Sequence, residues 1–170
     1  MVFVKLRRNT AGGMDYIRNL LRYFRYDFRT GKERKDYVCM SGYGVDYTDL
    51  ERAYHQMTEV RKYFGKVSGN PLAHYIVSFD VDVYDSLIAE HHARMIAEYF
   101  RYDYQVVWAI HRKERGDSLF HVHYLVNSVS YKNGKMLNTY FPDVRTFAVF
   151  IHENFHCKVE YCVGQLTDEI

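Results

Sequence analysis

An α+β fold with a central antiparallel or mixed β-sheet and flanking helices is predicted by three features of the sequence. Segments of period-two alternation rich in β-branched and aromatic residues take turns with segments of helical apolar spacing. Two of the strand-like segments are separated only by a short polar run, which marks a hairpin at the centre. The resulting order, β-α-β-α-β-α-β-β-α-β, cannot form a purely parallel sheet.

Each element has its own signal. Residues 2–8 alternate apolar and basic side chains as a strand does. After Ala11-Gly12-Gly13, residues 14–26 set Ile17, Leu20, Leu21 and Phe24 at helical spacing, with arginines on the other face. Residues 27–36 are polar and read as a loop, and residues 37–40 as a short strand. Thr48 followed by Glu51 matches a capping box, which predicts a helix from there to about Phe64. Residues 73–79 are strand-like. Residues 86–102 form a helix whose apolar stripe is Leu87, Ile88, Met95, Ile96 and Phe100. Residues 104–111 and 119–129 are predicted antiparallel neighbours, Asn133-Gly134 a turn, residues 144–155 a last helix and residues 158–163 a last strand.

Composition narrows the function classes. With 170 residues, 48% apolar and 26% charged, the chain has the balance of a soluble globular protein. Two prolines, Pro71 and Pro142, and the lack of repeats or low-complexity tracts predict a single domain over residues 1–170. No apolar run is long enough to span a membrane and residues 1–8 build no secretory core, so a cytoplasmic location without membrane insertion is expected. Cys39, Cys157 and Cys162 form no CxxC pair and are expected to be small core hydrophobes. The net charge of +2 conceals an asymmetry. Residues 1–35 hold ten basic side chains, Lys5, Arg7, Arg18, Arg22 and Arg25 among them, against Asp15, Asp27 and Glu33. One end of the chain therefore suits a polyanion, with a solvated basic helix face as the competing reading.

The histidines carry the chemistry. Alternation puts His74, Ile76 and Ser78 on one face of a strand, and His121, His123, Leu125 and Asn127 on one face of another. His111 ends the strand that feeds the same hairpin, so in a favourable register His111, His121 and His123 converge as three imidazoles able to hold a divalent metal. An HxH tripeptide alone is uninformative, since nine histidines give roughly 0.5 by chance; the strand context discriminates. A rival, His152-Glu153-Asn154-Phe155-His156, satisfies the HExxH signature of zinc metalloproteases, with a chance expectation of roughly 0.02. Only 14 residues follow it, with no histidine to complete such a site. His55, His91 and His92 lie on predicted helices and read as solvent-facing.

At this point a family comes into view. The run His74-Tyr-Ile-Val-Ser78-Phe79, a helix, Tyr104-Gln-Val-Val-Trp-Ala-Ile-His111, and then His121-Val-His123-Tyr-Leu-Val-Asn127-Ser-Val-Ser-Tyr-Lys-Asn-Gly-Lys resembles the relaxase/mobilization nucleases. These are HUH endonucleases, and the likeness is nearest to the MOBP-type class. It extends from Met14-Asp15-Tyr16-Ile17 through Arg61-Lys62-Tyr63-Phe64-Gly65 to the last helix. The resemblance implies a relaxase-like sheet with the HUH histidines on a central strand.

It also implies metal-dependent nicking and joining of one DNA strand at an origin of transfer, through a covalent 5′-phosphotyrosine. The implied nucleophile is Tyr16, the metal ligands are His111, His121 and His123, and Ser78 helps to hold the DNA. Lys5, Arg7, Arg18, Arg22 and Arg25 would meet the backbone of single-stranded DNA. His74, Asn127 and Asp117 are candidates to orient the metal ligands from behind. Tyr23 and Tyr26 read as packing residues or stacking platforms for unpaired bases. The family is associated with Mn²⁺ or Mg²⁺, whereas three imidazoles ordinarily favour Zn²⁺ or another transition metal. Accessory relaxosome proteins are implied partners. The chain departs from the family pattern at Lys113, where members commonly have an acid, and in the longer loop between His111 and His121; Asp117 is the possible substitute. The alternatives are a catalytically inactive nucleic-acid-binding module of the same fold and the HExxH protease.

Overall fold

The computed structural model describes residues 1–7, 13–80, 83–113 and 119–170. The elements are β1 (Val2–Arg7), α1 (Asp15–Arg25), β2 (Tyr37–Tyr43), α2 (Leu50–Tyr63), β3 (Leu72–Phe79), α3 (Ser86–Arg101), β4 (Val106–Arg112), β5 (Phe120–Asn127), α4 (Phe141–Phe155), β6 (Val159–Val163) and β7 (Leu166–Glu169). The strands form one seven-stranded mixed sheet in the order β2-β4-β5-β3-β1-β6-β7. Every described pairing is antiparallel except β1 with β6. The predicted α+β class and the order of the first ten elements agree with this, and β5, with its two histidines, is an interior strand.

Helices cover both faces, but unequally. Helices α3 and α4 bury Ala89, Ala93, Ile96, Phe100, Phe147 and Ile151 against inward residues such as Val77, Trp108, Val122 and Tyr161. Helices α1 and α2 bury Ile17, Leu21, Phe24, Ala53 and Met57 against Val107, Ala109 and Leu125 on the opposite face. Each fully buried Leu, Ile, Val, Phe or Met among these is worth about 1.5–3 kcal/mol. Lys5 and Arg7 of β1 remain exposed on the strand.

Several expectations are corrected. Asp49, rather than Thr48, caps α2, its carboxylate accepting the N–H groups of Glu51 and Arg52 at 3.0 Å. Thr48 instead donates its hydroxyl to Asp46. The buried stripe of α3 runs through Ala89, Ala93, Ile96, Ala97 and Phe100, while Leu87 is exposed. Three of the five buried positions are alanines, and Leu87 lies on the solvent side of the helix. Strand β7 was not expected, because Leu166–Glu169 is exposed throughout and has no apolar alternation. Cys162 is buried as expected, whereas Cys39 and Cys157 are only partly so. Among the described residues no helix is long and apolar enough to cross a membrane.

Candidate functional site

Strand register brings the three histidines together. His111 of β4 lies directly opposite His121 of β5, and His123 follows two residues later on the same face. One ring nitrogen from each lies within 4.8 Å of the others. The ring centroids are 5.4 Å apart for His111 and His121, 4.9 Å for His111 and His123, and 5.0 Å for His121 and His123.

Helix α1 orients this group. The ring of Phe24 packs 5.5 Å from His123 and 5.7 Å from His74, between centroids. The Phe24 carbonyl lies 2.6 Å from Nε2 of His111. A carbonyl only accepts, so Nε2 carries the proton and Nδ1 keeps its lone pair. On β3, Nε2 of His74 lies 2.9 Å from Nδ1 of His123. With Nδ1 donating there, Nε2 of His123 also keeps a lone pair. The buried nitrogens left without a hydrogen-bond partner among the described residues include His111 Nδ1, His121 Nδ1 and His123 Nε2.

Burial shifts the whole group toward neutrality. It pushes His121 down to about 4, helped by the charges of His111 and Lys113, and His74 down to about 3, helped by Arg7. His123 is strongly lowered by burial and by its histidine neighbours. His111 is lowered by burial against the opposing effects of the Phe24 carbonyl and Asp36. Three desolvated imidazoles held toward the neutral form can serve as nitrogen donors to a divalent metal, and Phe24 and His74 orient two of them from outside the cluster.

Two tyrosines of α1 share a small cavity of about 160 Å³ with Arg7 and His74. Tyr23 is the nearer to the histidines: its ring stands edge-on to His123 at 6.2 Å between centroids. The Arg34 guanidinium lies 4.7 Å from the Tyr23 ring and is itself held by both oxygens of Asp36, at 2.9 and 2.8 Å. Tyr16 lies two helical turns earlier, with its phenol pushed up by burial and pulled down by Arg7.

The other expected residues divide in two. Ser78 pairs across the sheet with His121, and Arg7 with His74, so both belong to the site's surroundings; Lys5 lies opposite Ile76. Asn127 does not reach the cluster: it sits at the far end of β5, its amide donating to Met57 O and Gln105 Oε1. Arg18 is paired with Glu51 and Asp15 and stacked on Tyr54, and Arg25 is paired with Glu33, while Arg22 is exposed. Asp117 lies outside the described residues.

The protease reading fails on geometry. His156 is the left-handed C-cap of α4, with φ 50°, so it leaves the helical face on which HExxH ligands must sit together. His152 Nδ1 is bonded to the Cys157 carbonyl. Among the described residues the histidine triad of β4 and β5 is the one group placed to hold a metal. His55 and His91 are exposed as expected, but His92 is half-buried between Phe79 and Phe155.

A mixed sheet that presents three imidazoles on adjacent antiparallel strands, beneath a tyrosine-bearing helix, defines the class of HUH-like nuclease folds. Residues 16–154 match the family described as Relaxase: MobA/VirD2-like, nuclease domain, and the chain belongs to that family of DNA-nicking relaxases. Comparison with curated proteins and with solved structures gave no match.

Proposed function

We propose that this protein is a metal-dependent relaxase that nicks and rejoins one DNA strand at an origin of transfer through a covalent 5′-phosphotyrosine. The observation that carries this reading is a relaxase-family chain in which three histidines each bring a ring nitrogen within 4.8 Å of the others and each keep a buried ring nitrogen without a hydrogen-bond partner among the described residues. His111, His121 and His123 would hold the ion, Mn²⁺ or Mg²⁺ by family association, with a transition metal such as Zn²⁺ suited to the same nitrogens. Bound there, a divalent ion supplies charge stabilisation at a nonbridging phosphate oxygen.

The chain's own residues do the rest. Burial keeps the imidazoles unprotonated, and Phe24 and His74 hold two of them in register. A tyrosine of α1 attacks phosphorus: its phenolic oxygen forms the new P–O bond, its proton leaves to solvent, and the bond to the 3′ oxygen breaks. The 3′ oxygen then takes up a proton and departs as a hydroxyl. Reversal by a 3′-hydroxyl rejoins the strand, because the phosphotyrosyl bond conserves the diester. Geometry favours Tyr23 as that nucleophile through its contact with His123, while Tyr16 shares the cavity and is the second reading. Ser78 and Arg7 flank the path, and accessory relaxosome proteins complete the assembly on DNA.

The test is adduct formation with labelled single-stranded oligonucleotides tiling a cognate transfer origin. A denaturation-resistant protein–DNA adduct that needs a divalent ion and is lost in His121→Ala is expected. Tight binding with no adduct under any divalent metal would contradict nicking and favour the inactive binding module.

A further inference from the structure

A second cavity lies next to the strand that carries His111. The loop of residues 27–36 and the end of β4 enclose about 750 Å³, lined by Lys32, Arg34, Lys35, Arg112 and Lys113 together with Asp27, Glu33 and Asp36. We infer that this cavity is a phosphate-binding groove that holds the backbone of the single strand next to the cluster. The inference rests on the DNA-nicking reading and assigns where its substrate lies.

Charge bookkeeping within the groove favours an anion. Its three carboxylates are occupied: Asp36 by both arms of Arg34, Glu33 by Arg25, and Asp27 by the N–H groups of Arg29 and Thr30 and the Thr30 hydroxyl. Lys32, Lys35, Arg112 and Lys113 are exposed and make no ion pair among the described residues. Asp27 keeps its charge despite those hydrogen bonds, so among the described residues four unpaired cations face one carboxylate on this concave surface, which leaves its potential positive. Every residue lining it except Thr30 is charged, which suits a polyanionic backbone better than a small apolar ligand.

Position ties the groove to the chemistry. Arg112 directly follows His111 on β4, and its N–H donates to the Asp36 carbonyl at 2.7 Å, joining the loop to the strand. Arg34 lies 4.7 Å from the Tyr23 ring, which in turn stands edge-on to His123. By contrast, the α1 arginines expected from the sequence to meet DNA are partly spent, since Arg18 and Arg25 already have carboxylate partners.

The experiment is the salt dependence of binding of a fluorescein-labelled single-stranded oligonucleotide in EDTA, where no cleavage intervenes. Each phosphate contact contributes about 0.7 to the slope of log K against log salt for single strands. The triple variant Lys32→Ala, Lys35→Ala, Lys113→Ala is expected to lower the slope by about 2 and to weaken binding. A control with Lys66, Lys132 and Lys135 replaced removes the same charge at the opposite end of the sheet and should keep the wild-type slope. Equal slopes for wild type and the groove variant, or an equal fall in the control, would overturn the groove. Failure of the nicking reading looks different: a groove-dependent slope without any metal-dependent adduct leaves the groove standing, whereas an adduct with a groove-independent slope removes only the groove.

Discussion

His74 Nε2 lies 2.9 Å from His123 Nδ1, linking two neighbouring strands through a buried pair of imidazoles. When His123 Nδ1 is the donor in this contact, its Nε2, which has no other partner among the described residues, keeps a lone pair for a metal. Outer-shell partners of this kind typically govern 10–100-fold in metal affinity. Replacing His74 with Ala should therefore weaken Mn²⁺ binding by roughly 10–100-fold while circular dichroism stays native. His74→Gln, which retains an acceptor, should recover part of the loss. Unchanged Mn²⁺ affinity in His74→Ala, measured by calorimetric titration, would remove His74 from the site.

The same burial sets a pH dependence in the metal-free protein. Both His74, lowered to about 3, and His123, lowered further, bind protons less readily folded than unfolded. Stability is therefore full above about 6.5, the ordinary histidine value, and falls as pH drops from there toward the folded-state values. Each such group gives a slope of about 1.4 kcal/mol per pH unit inside that window. Urea denaturation in EDTA from pH 7.5 to 5 should show progressive loss of stability. A flat profile would mean that these imidazoles already accept protons in the folded state.

Arg61 is buried, with no carboxylate partner among the described residues. Its guanidinium donates to the carbonyls of Ser68 and Pro71 and to the Ser128 hydroxyl, tying the loop before β3 to the segment after β5. Truncation strands these acceptors away from water. Arg61→Ala is expected to cost about 3 kcal/mol, read from the shift in denaturation midpoint. A loss below about 1 kcal/mol would show that water reaches these groups.

Gly134 has a φ of +71°, and a Cβ there would meet Phe64 Cδ1 at 2.5 Å. Both the backbone and the ring object to a side chain. Gly134→Ala should destabilise by about 1–3 kcal/mol in the same assay, and a neutral result would require the Phe64 ring to move freely.

Much of this was legible in the sequence where one periodicity decides the outcome. Ile17, Leu20, Leu21 and Phe24 were read as one helix face and are all buried. Alternation alone put His121 and His123 on one side, and hairpin pairing added His111. What could not be read depends on which helix lies over which strand. The Phe24 carbonyl that fixes His111 has no side-chain signature, because every residue has a carbonyl. Tyr23 reads from the sequence as a packing residue or a stacking platform for unpaired bases, and only the seating of α1 puts its ring against His123. Arg34 and Asp36 lie in a polar loop whose pattern carries no period, and only the fold brings them beside the tyrosine.

The most direct test is the position of the covalent link. Trypsin separates the two candidates, since Tyr16 lies between Arg8 and Arg18 and Tyr23 between Arg22 and Arg25. After reaction with a cognate oligonucleotide and Mn²⁺, nuclease trimming and mass spectrometry should find the nucleotide remnant on the Tyr23 peptide, with no adduct in Tyr23→Phe. A remnant on the Tyr16 peptide, with Tyr23→Phe fully reactive, would contradict the placement of the nucleophile beside His123.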